Sequence, residues 1–345
     1  MSNAEEIYSG FPQENERTLE NALRPRTFDQ FIGRDDTVRN LRTWLEGAQL
    51  RGEAVDHILL SGPPGLGKTT LAYIVAHEMG VDIHTTSGPA LGKPRDLVGL
   101  LTSLQPRDVL FIDEIHRLDV RVEEYLYSAM EDFFITIILD PGPHGRSIKM
   151  DLQPFTLIGA TTREGLLAAP LRSRFQIMER LDFYSTEELA RIVLNSAEVL
   201  GVEVEPDAAR LIAQRCRGTP RVANRFLRRI RDVAQADGSP VVTEKIAAEG
   251  LRRLGVDSKG LAEMDRRILL TLARNGTRPV GLKTISAVVG EKEDTIQDVY
   301  EPFLIRHGFL ERTARGRVIT EAGLEVIEDY VTDDGEAGAG QQGIF

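Results

Sequence analysis

The chain is organised around one stretch: His57-Ile58-Leu59-Leu60-Ser61, then Gly62-Pro63-Pro64-Gly65-Leu66-Gly67-Lys68-Thr69-Thr70, then Leu71-Ala72-Tyr73-Ile74-Val75-Ala76. A short apolar run ends in a glycine-rich turn, and the turn opens into a helical pattern. This is the G-x-x-x-x-G-K-[ST] phosphate loop in its strand–loop–helix setting. Gly62, Gly65 and Gly67 let the backbone approach phosphate oxygens with no Cβ in the way. The first N–H groups of the following helix point at the anion, and the helix dipole favours it. Lys68 is spaced to reach the outer phosphates, and the Thr69 hydroxyl to hold Mg²⁺. The loop alone does not say which nucleoside triphosphatase this is.

Working outward, 345 residues suggest two or three domains. Hydrophobic content of 41% and charged content of 28% are those of an ordinary globular protein. The single cysteine, Cys216, excludes an internal disulfide and fits a reducing compartment. The start is acidic and polar, without a signal-peptide pattern, and no apolar run is long enough to span a membrane. A cytoplasmic location is expected. A net charge of −11 argues against a protein that coats DNA, though not against a local basic patch. The six histidines show no metal-ligand spacing, so no metal is expected beyond the one that accompanies the nucleotide.

Upstream of the loop, residues 1–19 read as a loose arm. Leu23 to Gly33 is an extended, Pro-containing segment with Phe28, Phe31 and Ile32, and such a segment has to lie on something. It is a packing strap or a strap beside the adenine. A helix from Asp35, the expected N-cap, to Leu50 puts Val38, Leu41, Trp44 and Leu45 on one face. Downstream, Val81–Thr86 reads as a strand and Arg95–Leu101 as a helix. Asp108–Ile112 is a buried strand delivering Asp113 and Glu114 at its end. There Asp113 suits the Mg²⁺ shell and Glu114 the polarisation of an attacking water. Arg121–Glu131 reads as a helix. Two β-type runs around Asp140–Gly145 read as a hairpin, its first arm apolar through Ile135, Ile137, Ile138 and Leu139. Exposed, that arm is a partner surface; covered, it is an edge of a sheet. Phe155–Ala160 is a further buried strand, ending in Thr161 and Thr162. Arg172 and Arg174 follow on a short segment started by Pro170.

From Ser185 the strands stop. Ser185–Leu200, Pro206–Arg217, Pro220–Ala236 and Thr243–Leu254 read as helices of a small all-α domain. Its third helix carries Arg221, Arg225, Arg228, Arg229 and Arg231, by default a solvated face, with Arg221 at the helix start best placed for a phosphate. Gly255–Gly260 reads as a linker. Beyond it, three apolar-faced helices and a hairpin around Ala314-Arg315-Gly316 form a winged-helix pattern. The third helix carries Glu293, Asp294, Asp298 and Glu301, acids that would repel phosphates in a major groove. The hairpin carries Arg312, Arg315 and Arg317, so DNA contact is expected through the wing and the backbone, without sequence reading. The expected divisions are 1–19 (disordered arm), 20–184 (α/β parallel-sheet ATPase domain), 185–255 (helical lid), 258–332 (winged-helix head) and 333–345 (acidic, Gly-rich disordered tail).

This order of parts resembles the AAA+ ATPases. Within them, Gly62–Thr70, Phe111–Arg117, Leu157–Arg163, Leu171–Phe175, Gly218–Arg221 and Gly308-Phe309-Leu310 before an Arg-rich wing are similar to the RuvB family of Holliday junction branch migration motors. The resemblance implies a homohexameric ring around duplex DNA, with ATP and Mg²⁺ at subunit interfaces. It implies nucleotide contacts from Leu23, Arg24, Tyr184 and the phosphate loop (Gly62, Gly65, Leu66, Gly67, Lys68, Thr69 and Thr70), and from Glu131, Asp132 and Phe133. Thr69 and Asp113 would be the Mg²⁺ residues, Glu114 the water residue and Thr162 the γ-phosphate sensor. Arg174 would be a finger given to the next subunit, and Arg221 the lid arginine. Arg312 and Arg317, with Arg315 on the same wing, would touch DNA. The hairpin 135–150 would dock the junction-binding partner RuvA, with the resolvase RuvC in the same junction complex. The alternative class is a nucleotide-controlled binding module: an origin-recognition type initiator, which would want sequence-reading residues on the third winged helix, or a clamp-loader subunit, which would lack the wing. A protein unfoldase would want an aromatic pore loop, and none is evident.

Overall fold

The computed structural model describes residues 22–138 and 146–328. The expected arm, hairpin tip and tail lie outside the described residues. The chain divides into two compact units, one spanning Leu23–Phe183 and the other running from Tyr184.

In the first unit the elements are, in order, α1 (Asp35–Arg51), β1 (Ile58–Ser61), α2 (Lys68–Met79), β2 (Ile83–Ser87), α3 (Pro94–Ser103), β3 (Val109–Asp113), α4 (Val120–Glu131), β4 (Phe134–Ile138), β5 (Ser147–Asp151), β6 (Thr156–Thr161), α5 (Ala169–Arg172) and β7 (Ile177–Arg180). Five strands form one parallel sheet in the order β2-β3-β6-β1-β7. The central strands are apolar without alternation because both their faces are covered. Edge strand β7 was not legible: Ile177-Met178-Glu179-Arg180 shows no run, and Met178 is 46% exposed. Helix α1 begins after Arg34, which sits in the left-handed region at φ 60° without a side-chain cap, so Asp35 is not the N-cap. Trp44 is 37% exposed rather than core, because Leu41, Leu45 and Ala48 already fill the buried stripe. The Leu23–Gly33 segment does lie on the fold: Phe28 and Phe31 are buried, and the Phe28 N–H donates to Glu78 on α2.

His57, just before β1, ties three elements together. Its Nδ1 accepts from the Leu157 N–H at 2.9 Å and its Nε2 faces the Met130 carbonyl at 3.0 Å. One nitrogen accepting and one donating is a neutral ring. Burial lowers the imidazole pKa below 6.5, outweighing the Met130 hydrogen bond that favours the charged form. The unfolded chain therefore takes up a proton near pH 6.5 that the folded chain refuses. This contribution to stability is complete above pH 6.5 and is lost as pH falls below it, at up to about 1.4 kcal/mol per pH unit. Urea midpoints of wild type and His57→Gln, taken at several pH values between 5 and 8, should show the steeper acid loss in wild type. Parallel curves would remove His57 as the cause.

Strands β4 and β5 pair antiparallel, Ile135 opposite Met150 and Ile137 opposite Ile148. One face of this hairpin thus carries all four. Ile135 is buried and Ile137 packs partly against the core, whereas Ile148 is 48% exposed. The first arm is neither wholly covered nor wholly free: its apolar face leaves the core as the hairpin extends.

The second unit contains α6 (Thr186–Val199), β8 (Glu203–Val204), α7 (Pro206–Arg215), α8 (Pro220–Ala236), β9 (Val241–Val242) and α9 (Glu244–Arg253), then α10 (Glu263–Ala273), α11 (Leu282–Val289), α12 (Glu293–Thr295), a π turn (Ile296–Tyr300), α13 (Glu301–Arg306), β10 (Leu310–Thr313) and β11 (Gly316–Ile319). A capping box of Ser185 with Glu188 starts α6. The short parallel pair β8–β9 was not anticipated. A helical lid is thus followed by a winged helix, whose hairpin is fixed at Gly316. A Cβ there would lie 2.4 Å from the Val280 carbonyl oxygen, at φ 146°. Two expectations are corrected. Arg225 is buried rather than solvated, and Gly255–Gly260 is no loose linker. Val256 and Leu261 are buried, and Asp257 Oδ1 accepts from the Lys259 and Leu261 N–H groups. Arg217, left-handed at φ 60°, forms a buried ion pair with Asp265 on α10. Among the described residues no helix is long and apolar enough to cross a membrane.

Candidate functional site

Parallel strands place their C-terminal ends along one edge of the sheet, and ligands of open α/β sheets bind there. The phosphate loop follows Ser61 of β1, which lies beside Thr161 of β6. Ile112 of β3 lies on the other side of β6, opposite Gly159, so Asp113 ends level with Ala160. Folding therefore brings Gly62–Thr70, Thr162, Asp113 and Glu114 to one edge, although they span about a hundred residues of sequence. The Gly62 N–H donates to the Thr161 carbonyl at 3.1 Å, locking the loop's first turn to β6. Gly62 adopts φ 134°, and a Cβ on it would sit 2.1 Å from the Leu181 carbonyl oxygen, so no larger residue fits. Gly65 and Gly67 are also left-handed, at φ 80° and 98°.

The residues present fit a nucleoside triphosphate with its metal. Lys68 opens α2 and is buried, with its ammonium donating to the Gly62 and Pro63 carbonyls at 2.7 and 2.8 Å. It is thus folded back over the concavity that a phosphate would fill. The Thr162 hydroxyl is buried and has no hydrogen-bond partner among the described residues, which leaves an orphaned polar group at this edge. One hydroxyl (Thr69) and one carboxylate (Asp113) suit Mg²⁺, which keeps water and substrate oxygens in its shell. Glu114 is held at φ 48°, with its N–H donating to Asp113 Oδ1 at 2.9 Å and its Oε2 accepting from Arg117 at 2.8 Å. His116, in the same turn, meets the Thr161 hydroxyl at 3.0 Å, fixing the acid-bearing turn to β6. The roles of Arg117 and His116 were not read from sequence, since an Arg or His after an acid pair carries no distinctive pattern. In the strap, Arg24 lies 5.7 Å from the Tyr73 ring of α2, the helix that the phosphate loop opens.

Arg174 is elsewhere. Its guanidinium pairs with Glu131 at 3.0 Å and lies 4.6 Å over the Tyr127 ring. Glu131 directly follows Met130, whose carbonyl faces His57 at the start of β1, the edge opposite the phosphate loop. Four strand residues at ~3.3 Å each separate the two edges by roughly 13 Å. Glu131 and Arg174 thus come together at the far edge. Asp132 is exposed there, and Phe133, at φ 51°, packs its ring against Phe155 at 5.9 Å. In the second unit, Tyr184 is buried and its N–H donates to Gly218, three residues before Arg221 at the start of α8.

The wing shows a further arrangement. Arg312 and Arg317 are directly opposite on β10 and β11, a like-charge pair that would repel. Glu301, fully buried, sits between them: its Oε2 accepts from Arg312 Nε and its Oε1 from Arg317 Nε, both at 2.6 Å. Glu301 therefore does not face a groove, and the expectation that it repels phosphates is corrected. The Arg317 side chain is 15% exposed and that of Arg312 is 43%, with Arg315 exposed at the turn.

Comparison with known proteins agrees with this geometry along the chain. Residues 23–181 match the Holliday junction DNA helicase RuvB P-loop domain, 184–257 the RuvB AAA lid domain and 258–328 the RuvB C-terminal winged helix domain. The chain is 59% identical over 303 residues to the Holliday junction branch migration complex subunit RuvB of Myxococcus xanthus, covering 88% of each. It is 48% identical to the solved Holliday junction branch migration motor RuvB of Thermotoga maritima, with a TM-score of 0.82 over 89% of this chain and 98% of that one. A phosphate loop, acid pair and Thr162 at one sheet edge, a helical lid and an arginine-bearing wing, matched domain by domain, show that the chain belongs to the RuvB family of AAA+ ATPases.

Proposed function

We propose that this chain is an ATP-driven motor that pumps duplex DNA arms through a Holliday junction, in recombination and repair. The observation that carries the reading is the division of the machinery between two edges of one sheet. Each subunit holds a phosphate loop and the Asp113–Glu114 acid pair at one edge, and offers Arg174 from the other. Such a protein is complete only when a second copy supplies the missing arginine, which suits a ring, here a homohexamer. Lys68 neutralises the outer phosphates, Glu114 orients the attacking water and the Thr162 hydroxyl donates to the γ-phosphate. Thr69 and Asp113 would hold Mg²⁺, which would supply charge neutralisation on the phosphates. Leu23, Arg24, Tyr184 and Arg221 are assigned to the nucleotide by family likeness, as are Asp132 and Phe133. Arg312, Arg315 and Arg317 meet the duplex backbone without reading sequence. Such work belongs in the cytoplasm, with RuvA and the resolvase RuvC at the junction.

The apolar face of the β4–β5 hairpin is assigned to RuvA. Its core end stabilises the fold, so the contact falls to Ile148. The test is ATP-dependent conversion of a synthetic four-way junction to duplexes, with and without RuvA. Wild type should convert it; a chain unable to do so with RuvA and ATP would end this reading. Ile148→Asp should keep the wild-type melting temperature and basal ATPase yet lose about 30-fold in RuvA affinity, the ~2 kcal/mol of an interface hot spot. Unchanged affinity would move the contact elsewhere.

A further inference from the structure

We infer that Tyr127, braced by Glu123, is a positioning residue for Arg174: it forms the platform that aims the guanidinium at the nucleotide of the neighbouring subunit. The inference rests on Arg174 acting in trans. Glu123, Tyr127 and Glu131 are spaced four apart on α4, so they form one stripe along the helix. All three touch each other or Arg174. The Arg174 guanidinium lies over the Tyr127 ring, its NH2 pairs with Glu131, its NH1 donates to the Pro170 carbonyl at 2.6 Å and its Nε to the Tyr127 carbonyl at 3.3 Å. A guanidinium has five N–H donors in a planar fork, and it stacks on aromatic faces. These contacts engage three donors and fix the plane. Two N–H groups remain for the oxygens of a transferring phosphoryl group.

The ring that sets the plane is itself fixed. The Tyr127 hydroxyl donates to Glu123 Oε1 at 3.0 Å, and Glu123 is buried, at 8% exposure. A flexible arginine on a short segment would otherwise sample many rotamers, and ordering it costs entropy at each catalytic encounter. The ring and its carboxylate brace lower that cost in advance. Burial, then the Glu123 hydrogen bond, push the Tyr127 phenol up to about 12, so the hydroxyl remains a donor at any physiological pH.

The experiment uses full-length chains in mixed assemblies, with ATP turnover and ATP affinity as readouts. Tyr127→Leu removes the platform; Tyr127→Phe keeps it and removes only the brace. Misplacing a catalytic group by about 1 Å costs on the order of 10²-fold, so Tyr127→Leu should lose about that in kcat with ATP affinity unchanged, and Tyr127→Phe much less. Lys68→Ala chains have no working phosphate loop but offer an intact finger. Mixed with them, Tyr127→Leu chains should regain turnover; mixed with Arg174→Ala chains, they should not. A misfolded chain would be rescued by neither, and in that event Glu123→Gln replaces it, with a smaller loss and the same rescue pattern expected. Mixing Arg174→Ala with Lys68→Ala tests the trans reading alone, and failure there removes both. If that control succeeds while Tyr127→Leu turns over ATP at the wild-type rate, or melts like wild type yet is not rescued by Lys68→Ala, or is rescued equally by both partners, the platform is rejected and the trans finger stands.

Discussion

Arg174→Ala should bind ATP within a few-fold of wild type and hydrolyse it about 10³–10⁵ times more slowly, the range of an arginine finger in NTPases. Arg174 is tied to α4 beside Glu131, at the sheet edge where β1 begins, whereas the phosphate loop follows the edge where β1 ends. A separation of roughly 13 Å exceeds what a side chain with three hydrogen bonds to its own surroundings can cross without refolding its segment. Phe175, directly after it, is buried in the core, so the segment is not free to swing. Binding is spared because Lys68 and the loop N–H groups provide the ground-state contacts. In a mixing series, Lys68→Ala chains lend their finger to Arg174→Ala chains. Turnover should rise above that of either mutant alone, with light scattering confirming mixed assembly. Confirmed assembly without recovered activity at any ratio would return Arg174 to its own subunit and remove the ring argument.

Asp265→Ala should lower the stability of the second unit by about 3–5 kcal/mol, because it removes a carboxylate that is buried in an ion pair with the Arg217 guanidinium. The two side chains are 4% and 0% exposed, too dry for screening to soften the loss. Burial pushes the Asp265 carboxyl up, and Arg217, with the Ala262 N–H donating at 2.7 Å, pulls it back. Asp265 also satisfies the first turn of α10, so its loss frays a helix start as well. Arg217 is further packed against Phe303, at 4.8 Å, and Tyr300, at 5.8 Å, joining α7 to the winged helix. An apolar pair of similar volume, Arg217→Met with Asp265→Leu, should recover most of the loss, since desolvating two charges nearly offsets their attraction. Urea unfolding of the two single variants and the double variant gives the coupling. A single-variant loss below about 1 kcal/mol would mean that water reaches the pair and solvates the survivor.

Both predictions concern residues whose types were plain in the sequence and whose partners were not. Arg174 stood out as an arginine on a Pro-started segment after a catalytic strand. Nothing local placed Tyr127 against it, because aromatic residues on an amphipathic helix usually face the core. The spacing of Glu123, Tyr127 and Glu131 was available, but such a stripe is common on helices and acquires meaning only from what crosses it. Glu301 shows the same limit from the other side. Counted with Glu293, Asp294 and Asp298, it suggested an acidic recognition helix, yet it is buried and offsets Arg312 and Arg317. Charge counted along a sequence cannot separate a solvated carboxylate from one that two guanidiniums neutralise.

The sequence by itself determined the phosphate loop, the acid pair at the end of β3, the four lid helices and the winged-helix pattern. These are local facts: glycine where the backbone must turn left-handed, unbroken apolar runs where both faces are covered, 3.6-residue periodicity where one face is. Only the tertiary structure decided that edge strand β7 closes the sheet, that Trp44 is about one-third exposed and that Gly255–Gly260 is packed. It alone decided that Arg174 sits across the sheet from its own phosphate loop. Those outcomes depend on contacts between residues far apart in the chain, where burial and ion pairing select among placements that local propensity leaves equal in energy.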